Sequence, residues 1–281
     1  MNILIGVIYM GYYIESNSNV DLYVEDLNPT GSNTIVFLHG WPGSHKLFEY
    51  QFNYLSCHDC RCIGIDQRGF GESDKPIDGY DYDTLSDDVK CIVDTLKLKD
   101  FTLIGHSTGG AIAIRYMARH KGFGVNKLIL CAAAAPSLIR RSYFPYGLKR
   151  EVVEEIIKET YADRPKMLNN FGKIFFYKKV SQPFSDWFLQ LGFQAAGWST
   201  AAIAKAWLDE EQLFDDMKKI KAPTLILHGI HDKVCLFPLA EQQKKLIPNA
   251  KLIKFEDSGH ALFYDELNKF NKEVLCFINK H

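Results

Sequence analysis

The chain has 281 residues, 47% hydrophobic and 24% charged, with a formal net charge of −1. That is enough apolar material for one large core, or one core with an insertion. A balance this close to neutral gives nucleic acid and anionic membranes no electrostatic footprint. It also does little to oppose self-association, which leaves a homodimer open.

The segment Met1–Ile8 is apolar but lacks the basic start and small-residue cleavage site of an export signal. It reads as an irregular lead-in, and no stretch reaches the roughly 20 apolar residues of a membrane helix. Seven scattered cysteines, an odd number, suit reduced thiols and a cytoplasmic location. Cys57, Cys60 and Cys62 lie close together beside His58. A structural zinc site needs a second spaced pair, and none follows. They read instead as buried or half-buried thiols at the start of a strand, with no metal.

Strands are expected at Tyr12–Glu15 and Val20–Glu25, joined by the turn Ser16-Asn17-Ser18-Asn19. Continuous apolar runs then recur at Thr34–Leu38, Cys62–Asp66, Phe101–Gly105, Val125–Cys131 and Thr224–His228. Such runs suit strands covered on both faces. Lys251–Phe255 is mixed, as an edge strand would be. Helical spacing marks Tyr82–Leu96, Ser107–Arg119, Leu239–Leu246 and Leu262–Asn279. About eight strands alternating with helices give an α/β fold with a mostly parallel sheet.

From about Pro136 to Lys221 that alternation stops. Aromatic residues make up about 19% of Ser137–Met217, against 13% of the whole chain. The stretch is expected to be a helical cap over 136–217, set into a core of 1–135 and 218–281. Pro165, Gly172, Pro183, Gly192 and Gly197 are expected to break it into short helices.

Gly105-His106-Ser107-Thr108-Gly109 leaves one apolar strand and opens an Ala- and Ile-rich helix. In that setting G-x-S-x-G is a nucleophile elbow, with Ser107 at its tip. A serine hydroxyl needs a base near neutral pH, and imidazole suits. In this chain order the acid precedes the histidine. Asp232 follows one late strand and His260 follows the next, so both loops are expected at the sheet end that carries Ser107. The N–H of Thr108 is one candidate oxyanion donor. The other is that of Trp41 in His39-Gly40-Trp41-Pro42-Gly43-Ser44, because Pro42 has no N–H.

His39 and His106 flank this site and are counted among the residues that could meet substrate, although each reads better as structural. Tyr143, Phe144, Phe176, Trp187 and Trp198 are candidate lining residues from the insertion. Neither a metal nor an organic cofactor is called for.

Together with Asp66-Gln67-Arg68-Gly69-Phe70-Gly71-Glu72-Ser73, these motifs resemble the α/β-hydrolase superfamily over nearly the whole chain. The likeness is greatest to its arylesterase and cofactor-free haloperoxidase (perhydrolase) group, through Gly-His-Ser-Thr-Gly-Gly and Asp-Gln-Arg-Gly. The resemblance implies a cap between strands six and seven and esterase activity on small acyl esters. That group often carries methionine after the nucleophile, where this chain has Thr108. Epoxide hydrolases and haloalkane dehalogenases use an aspartate nucleophile, and Ser107 argues against them. A perhydrolase, a lactonase or a carbon–carbon hydrolase could use the same three residues. A slow-turnover ligand sensor is the alternative from another class.

Overall fold

A computed structural model of the protein describes residues 9–280. The apolar segment Met1–Ile8 lies outside the described residues. Eight strands form one sheet: β1 (Tyr9–Glu15), β2 (Asp21–Leu27), β3 (Asn33–Leu38), β4 (Cys60–Ile65), β5 (Phe101–His106), β6 (Val125–Cys131), β7 (Thr224–Gly229) and β8 (Ala250–Phe255). Their order across the sheet is β1-β2-β4-β3-β5-β6-β7-β8. β1, β2 and β4 pair antiparallel, and every other neighbouring pair is parallel. The expected α/β class and mostly parallel sheet are therefore found.

The core strands are apolar throughout because helices cover both faces. β5 and β7 have no exposed residue. The mixed strand β8 is an edge, as its composition required. Among the helices, α1 (Glu49–Ser56) has no counterpart in the expected elements. It is short and built from aromatic and polar residues. α2 (Tyr82–Thr95) is capped by Asp81, whose side chain accepts the Thr84 N–H at 2.8 Å. α3 (Thr108–Arg119) runs back from the end of β5.

The strand order places β3 between β4 and β5, so the chain leaves β3 to one side and returns on the other. Loops that follow neighbouring strands at such a switch point diverge and leave a crevice at the carboxyl ends. Here those are the loop after β3, with Trp41, and the turn after β5, with Ser107.

Between β6 and β7 come α4 (Arg150–Phe175), α5 (Gln182–Gln194), α6 (Gly197–Asp209) and α7 (Leu213–Lys218). α7 packs against α3, and Arg115 of α3 binds Asp216 at 2.9 Å. Three of the five expected breaks are real. Asp163 leaves helical geometry two residues before Pro165, Pro183 opens α5, and Gly197 opens α6. Gly172 and Gly192 do not break their helices. A Cβ on Gly192 would sit 3.2 Å from Leu168 of α4, and one on Gly172 would sit 3.6 Å from Phe188 of α5. Their smallness serves close packing of α4 on α5.

α8 (Pro238–Leu246) follows β7. The expected last helix is two pieces, α9 (Leu262–Asp265) and α10 (Leu267–Ile278). Glu266 breaks it with φ −122° and ψ 53°. Its carboxylate turns back to accept the Asp257 N–H at 3.0 Å and the Ser258 hydroxyl at 2.7 Å. Cys60 and Cys62 are buried on β4, as expected. Cys57 is exposed, because it sits past the end of α1 rather than on the strand.

Candidate active site

Ser107 sits between β5 and α3 with φ 53° and ψ −120°. Only a few per cent of non-glycine residues have positive φ, and such strain gathers at functional sites. The surrounding glycines are forced by contact with backbone. A Cβ on Gly105 would meet the Gly109 oxygen at 2.4 Å, and one on Gly109 would meet the Leu38 oxygen at 2.3 Å. Gly40 is forced as well, since its Cβ would lie 2.9 Å from Ser107 Cβ. The loop after β3 and the turn after β5 are thus pressed together. Ser107 is 5% exposed, and its Oγ lies 3.9 Å from the Cys235 thiol.

His260 Nδ1 lies 2.8 Å from Asp232 Oδ2, and both side chains are fully buried. A carboxylate facing Nδ1 holds the ring proton there, which makes Nε2 an acceptor. His260 Nε2 is buried and has no hydrogen-bond partner among the described residues. The other oxygen of Asp232 accepts the N–H groups of Val234 at 2.8 Å and Cys235 at 2.9 Å. Burial pushes the Asp232 carboxyl up, but His260 and His228 outweigh it and hold it well below the usual carboxylate range. Burial and the Asp232 charge together push the Cys235 thiol well above its ordinary value. It is a neutral neighbour of Ser107 and not a thiolate.

The two histidines expected to flank the site are both buried. His39 is fully buried, its Nδ1 donating to the Gly40 oxygen at 3.0 Å and its Nε2 accepting the Gln67 N–H at 3.1 Å. Both nitrogens are used to fix the loop. His106 is also fully buried and donates from Nε2 to the backbone oxygen of His260 at 3.1 Å. Burial lowers both of these histidines, so both rings are neutral.

The insertion residues divide. Tyr143 is 61% exposed and lies edge-on to Phe214, with Phe144 buried in the same group. Trp198 is 42% exposed and donates to the Pro76 oxygen at 2.9 Å. Exposure removes Tyr143 and Trp198 from a closed pocket. Phe176 packs on Phe184, Phe188 and Tyr264, and Trp187 joins through Phe184. Among the described residues of the insertion, the ring that meets His260, at 5.1 Å, is Phe175, which also meets His106 at 5.8 Å.

Phe175, Phe171, Trp207 and Cys235 are the site neighbours that sequence reasoning missed. Leu168, Phe171 and Phe175 fall at helical spacing, as do Ile203, Ala204 and Trp207. Those stripes were the available signal. No pattern marks Cys235, which comes near Ser107 only because the chain turns around Asp232.

A family model described as the alpha/beta hydrolase fold matches residues 33–267. The chain belongs to the α/β-hydrolase fold family. It is 47% identical over 270 residues to the "AB hydrolase superfamily protein YisY" of Bacillus subtilis, covering 96% of this chain and 100% of the relative. It is 30% identical over 274 residues to the "Bifunctional esterase/perhydrolase DCH" of Acinetobacter calcoaceticus, covering 95% and 99%. The solved structure of an esterase from Exiguobacterium antarcticum superposes with a TM-score of 0.93 at 41% identity, covering 96% of this chain and 100% of that one. The α/β-hydrolase thus has relatives among both esterases and perhydrolases, in line with the resemblance read from its motifs. No helix among the described residues is long and apolar enough to cross a membrane.

Proposed function

We propose that the protein is a carboxylic-ester hydrolase working through an acyl-enzyme. The observation that carries this is the His260 ring. Its Nδ1 is held by Asp232, its Nε2 is left unpartnered among the described residues, and its ring lies 4.6 Å from that of His106, the residue before Ser107 on the strained turn. His260 takes the Ser107 proton as Oγ attacks the acyl carbon. The charge that develops on oxygen meets the N–H groups of Trp41 and Thr108. Thr108 is the first residue of α3, where the backbone N–H has no intrahelical acceptor and the helix dipole favours an anion. His260 then protonates the leaving alcohol and activates the water that releases the acid.

We assign residues 136–217 as the cap. Phe171 and Trp207 pack edge-on to Trp41 and Phe175 edge-on to His260, and this apolar surrounding favours small or medium apolar acyl groups. No metal or organic cofactor takes part in this reading. The free cysteines suit the reducing cytoplasm.

The relative named as a bifunctional esterase/perhydrolase supports a second reading. Hydrogen peroxide, in place of water, would take the acyl group from Ser107 and leave as a peracid.

Hydrolysis of p-nitrophenyl acetate, butyrate and octanoate by wild type and Ser107→Ala tests the main reading. Turnover that falls at least about a thousandfold in the variant supports it, and the chain-length preference sizes the pocket. Equal rates in the two proteins overturn it. Peracid formation from acetate and peroxide tests the second reading.

A further inference from the structure

The two proposed oxyanion donors come from different parts of the sheet. Trp41 lies three residues past Leu38, the end of β3, and Thr108 lies three residues past Gly105, its register partner on β5. Gly40 and Gly109 press the two loops together, and a second link from the insertion spans them. The helix α6 touches both residues. The Trp41 indole donates to the backbone oxygen of Thr200 at 3.0 Å, and the Trp207 indole donates to the Thr108 hydroxyl at 3.1 Å. The two indoles also meet edge to face, with ring centres 5.1 Å apart. Trp41, Thr108, Thr200 and Trp207 are all buried.

The helix is itself tied down at both ends. At its start Ser199 donates to the Gly69 oxygen at 2.8 Å, and the Ala196 N–H donates to the same oxygen at 3.1 Å. At its end Glu210 binds Arg115 of α3 at 2.7 Å. A segment of the insertion therefore bridges the two loops whose N–H groups would hold the oxyanion, from a frame anchored on the core.

We propose that α6 is the clamp that sets the oxyanion hole, with Trp207 and the Thr108 hydroxyl as positioning groups for the Thr108 N–H. The inference rests on the ester-hydrolase reading above. Oxyanion donors act only when aimed at where charge develops, so a small displacement costs rate without costing ground-state binding. The hydroxyl of Thr108 thus has a use that methionine at this position could not serve.

The test compares Trp207→Phe, Thr108→Val, Thr108→Ser and the Trp207→Phe/Thr108→Val double variant in p-nitrophenyl butyrate hydrolysis. Trp207→Phe keeps an aromatic ring, though a smaller one, and removes the donor. It should lower kcat about tenfold or more and leave KM within about twofold, and Thr108→Val should match it. Thr108→Ser, which keeps the acceptor, should recover most of the kcat that Thr108→Val loses. The double variant should lose no more than either single one. Inhibition by a boronic acid, which forms a tetrahedral adduct on the serine, should weaken in step with kcat.

Wild-type kcat in both Trp207→Phe and Thr108→Val, or full additivity in the double variant, overturns the clamp while leaving the ester-hydrolase reading intact. Undiminished activity in Ser107→Ala overturns the reading on which it rests. If Trp207→Phe fails to fold, a Thr108→Val loss with Thr108→Ser retention still supports the clamp, and equal behaviour of those two overturns it.

Discussion

The Asp265 carboxylate accepts the Gly259 N–H at 2.9 Å, one residue before His260. The same carboxylate accepts the N–H groups of Tyr177 and Lys178, each at 3.0 Å, just past the end of α4. One buried side chain therefore ties the His260 loop to the insertion. Asp265→Asn replaces an acceptor oxygen with a donor amide, leaving at least one buried N–H unpaired at a cost of about 1–3 kcal/mol. We expect a melting temperature lower by on the order of 5 °C and a reduced kcat at similar KM. Calorimetry and ester kinetics on the same preparation check it. An unchanged kcat would show that His260 keeps its place without Asp265.

Asp232→Asn tests the orientation of His260. The amide can turn either its oxygen or its NH2 group toward Nδ1, and the second choice puts the ring proton on Nε2. An Nε2 proton blocks its use as a base. The two backbone N–H groups of Val234 and Cys235 that Asp232 accepts favour placing the amide oxygen toward them, which leaves NH2 for His260. We expect kcat to fall on the order of 10³–10⁴-fold with the fold retained, as for wrong-tautomer variants of such triads. A loss under about tenfold in ester hydrolysis would remove Asp232 from its proposed role.

The sheet was legible because its central strands are apolar on both faces, and a run such as Thr224–His228 has no other comfortable place. The strained turn at Ser107 and the meeting of Asp232 with His260 were legible because turn chemistry and chain order constrain them. The insertion was harder. Gly172 and Gly192 have the composition of breakers, yet both lie within helices because each faces a large side chain on the other helix. Tyr143 and Phe175 are both aromatic residues of the insertion. Only contacts across the fold decide that Phe175 meets His260 while Tyr143 faces solvent beside Phe214. The split of the last helix at Glu266 depends on bonds to Asp257 and Ser258, which helical periodicity cannot register.

His39 and His106 make stability depend on pH. Burial holds both folded-state values below the ordinary 6.5. The unfolded chain therefore binds protons first as pH falls through that value, and stability rises with pH there. Their contribution is complete above about pH 6.5 and drains below it, by at most about 1.4 kcal/mol per pH unit for each histidine. Asp232 titrates far lower and does not contribute in this window. Urea unfolding midpoints at pH 7.5 and 5.5 should show a clear loss in wild type. His39→Gln should be less stable at pH 7.5, having lost its bonds to Gly40 and Gln67, but should lose less between the two pH values. Equal losses in the two proteins would mean that His39 is protonated in the fold.

Gly40 and Gly109 separate a damaged site from a damaged fold. A Cβ on Gly109 would lie 2.3 Å from the Leu38 oxygen and 2.5 Å from the His39 oxygen, and backbone cannot step aside. Gly109→Ala should force β3 and α3 apart and cost several kcal/mol, as overpacking of a rigid contact does. A Cβ on Gly40 meets side chains instead, His106 Nδ1 at 2.5 Å and Ser107 Cβ at 2.9 Å. The His106 ring can shift, but it carries the backbone oxygen of His260 on its Nε2. Gly40→Ala should therefore keep most of its stability and lose activity, because the shift moves both Ser107 and His260. Thermal melts beside ester kinetics check the pair. A Gly109→Ala protein with a wild-type melting temperature, or a fully active Gly40→Ala protein, would show that these loops are not pressed together as described.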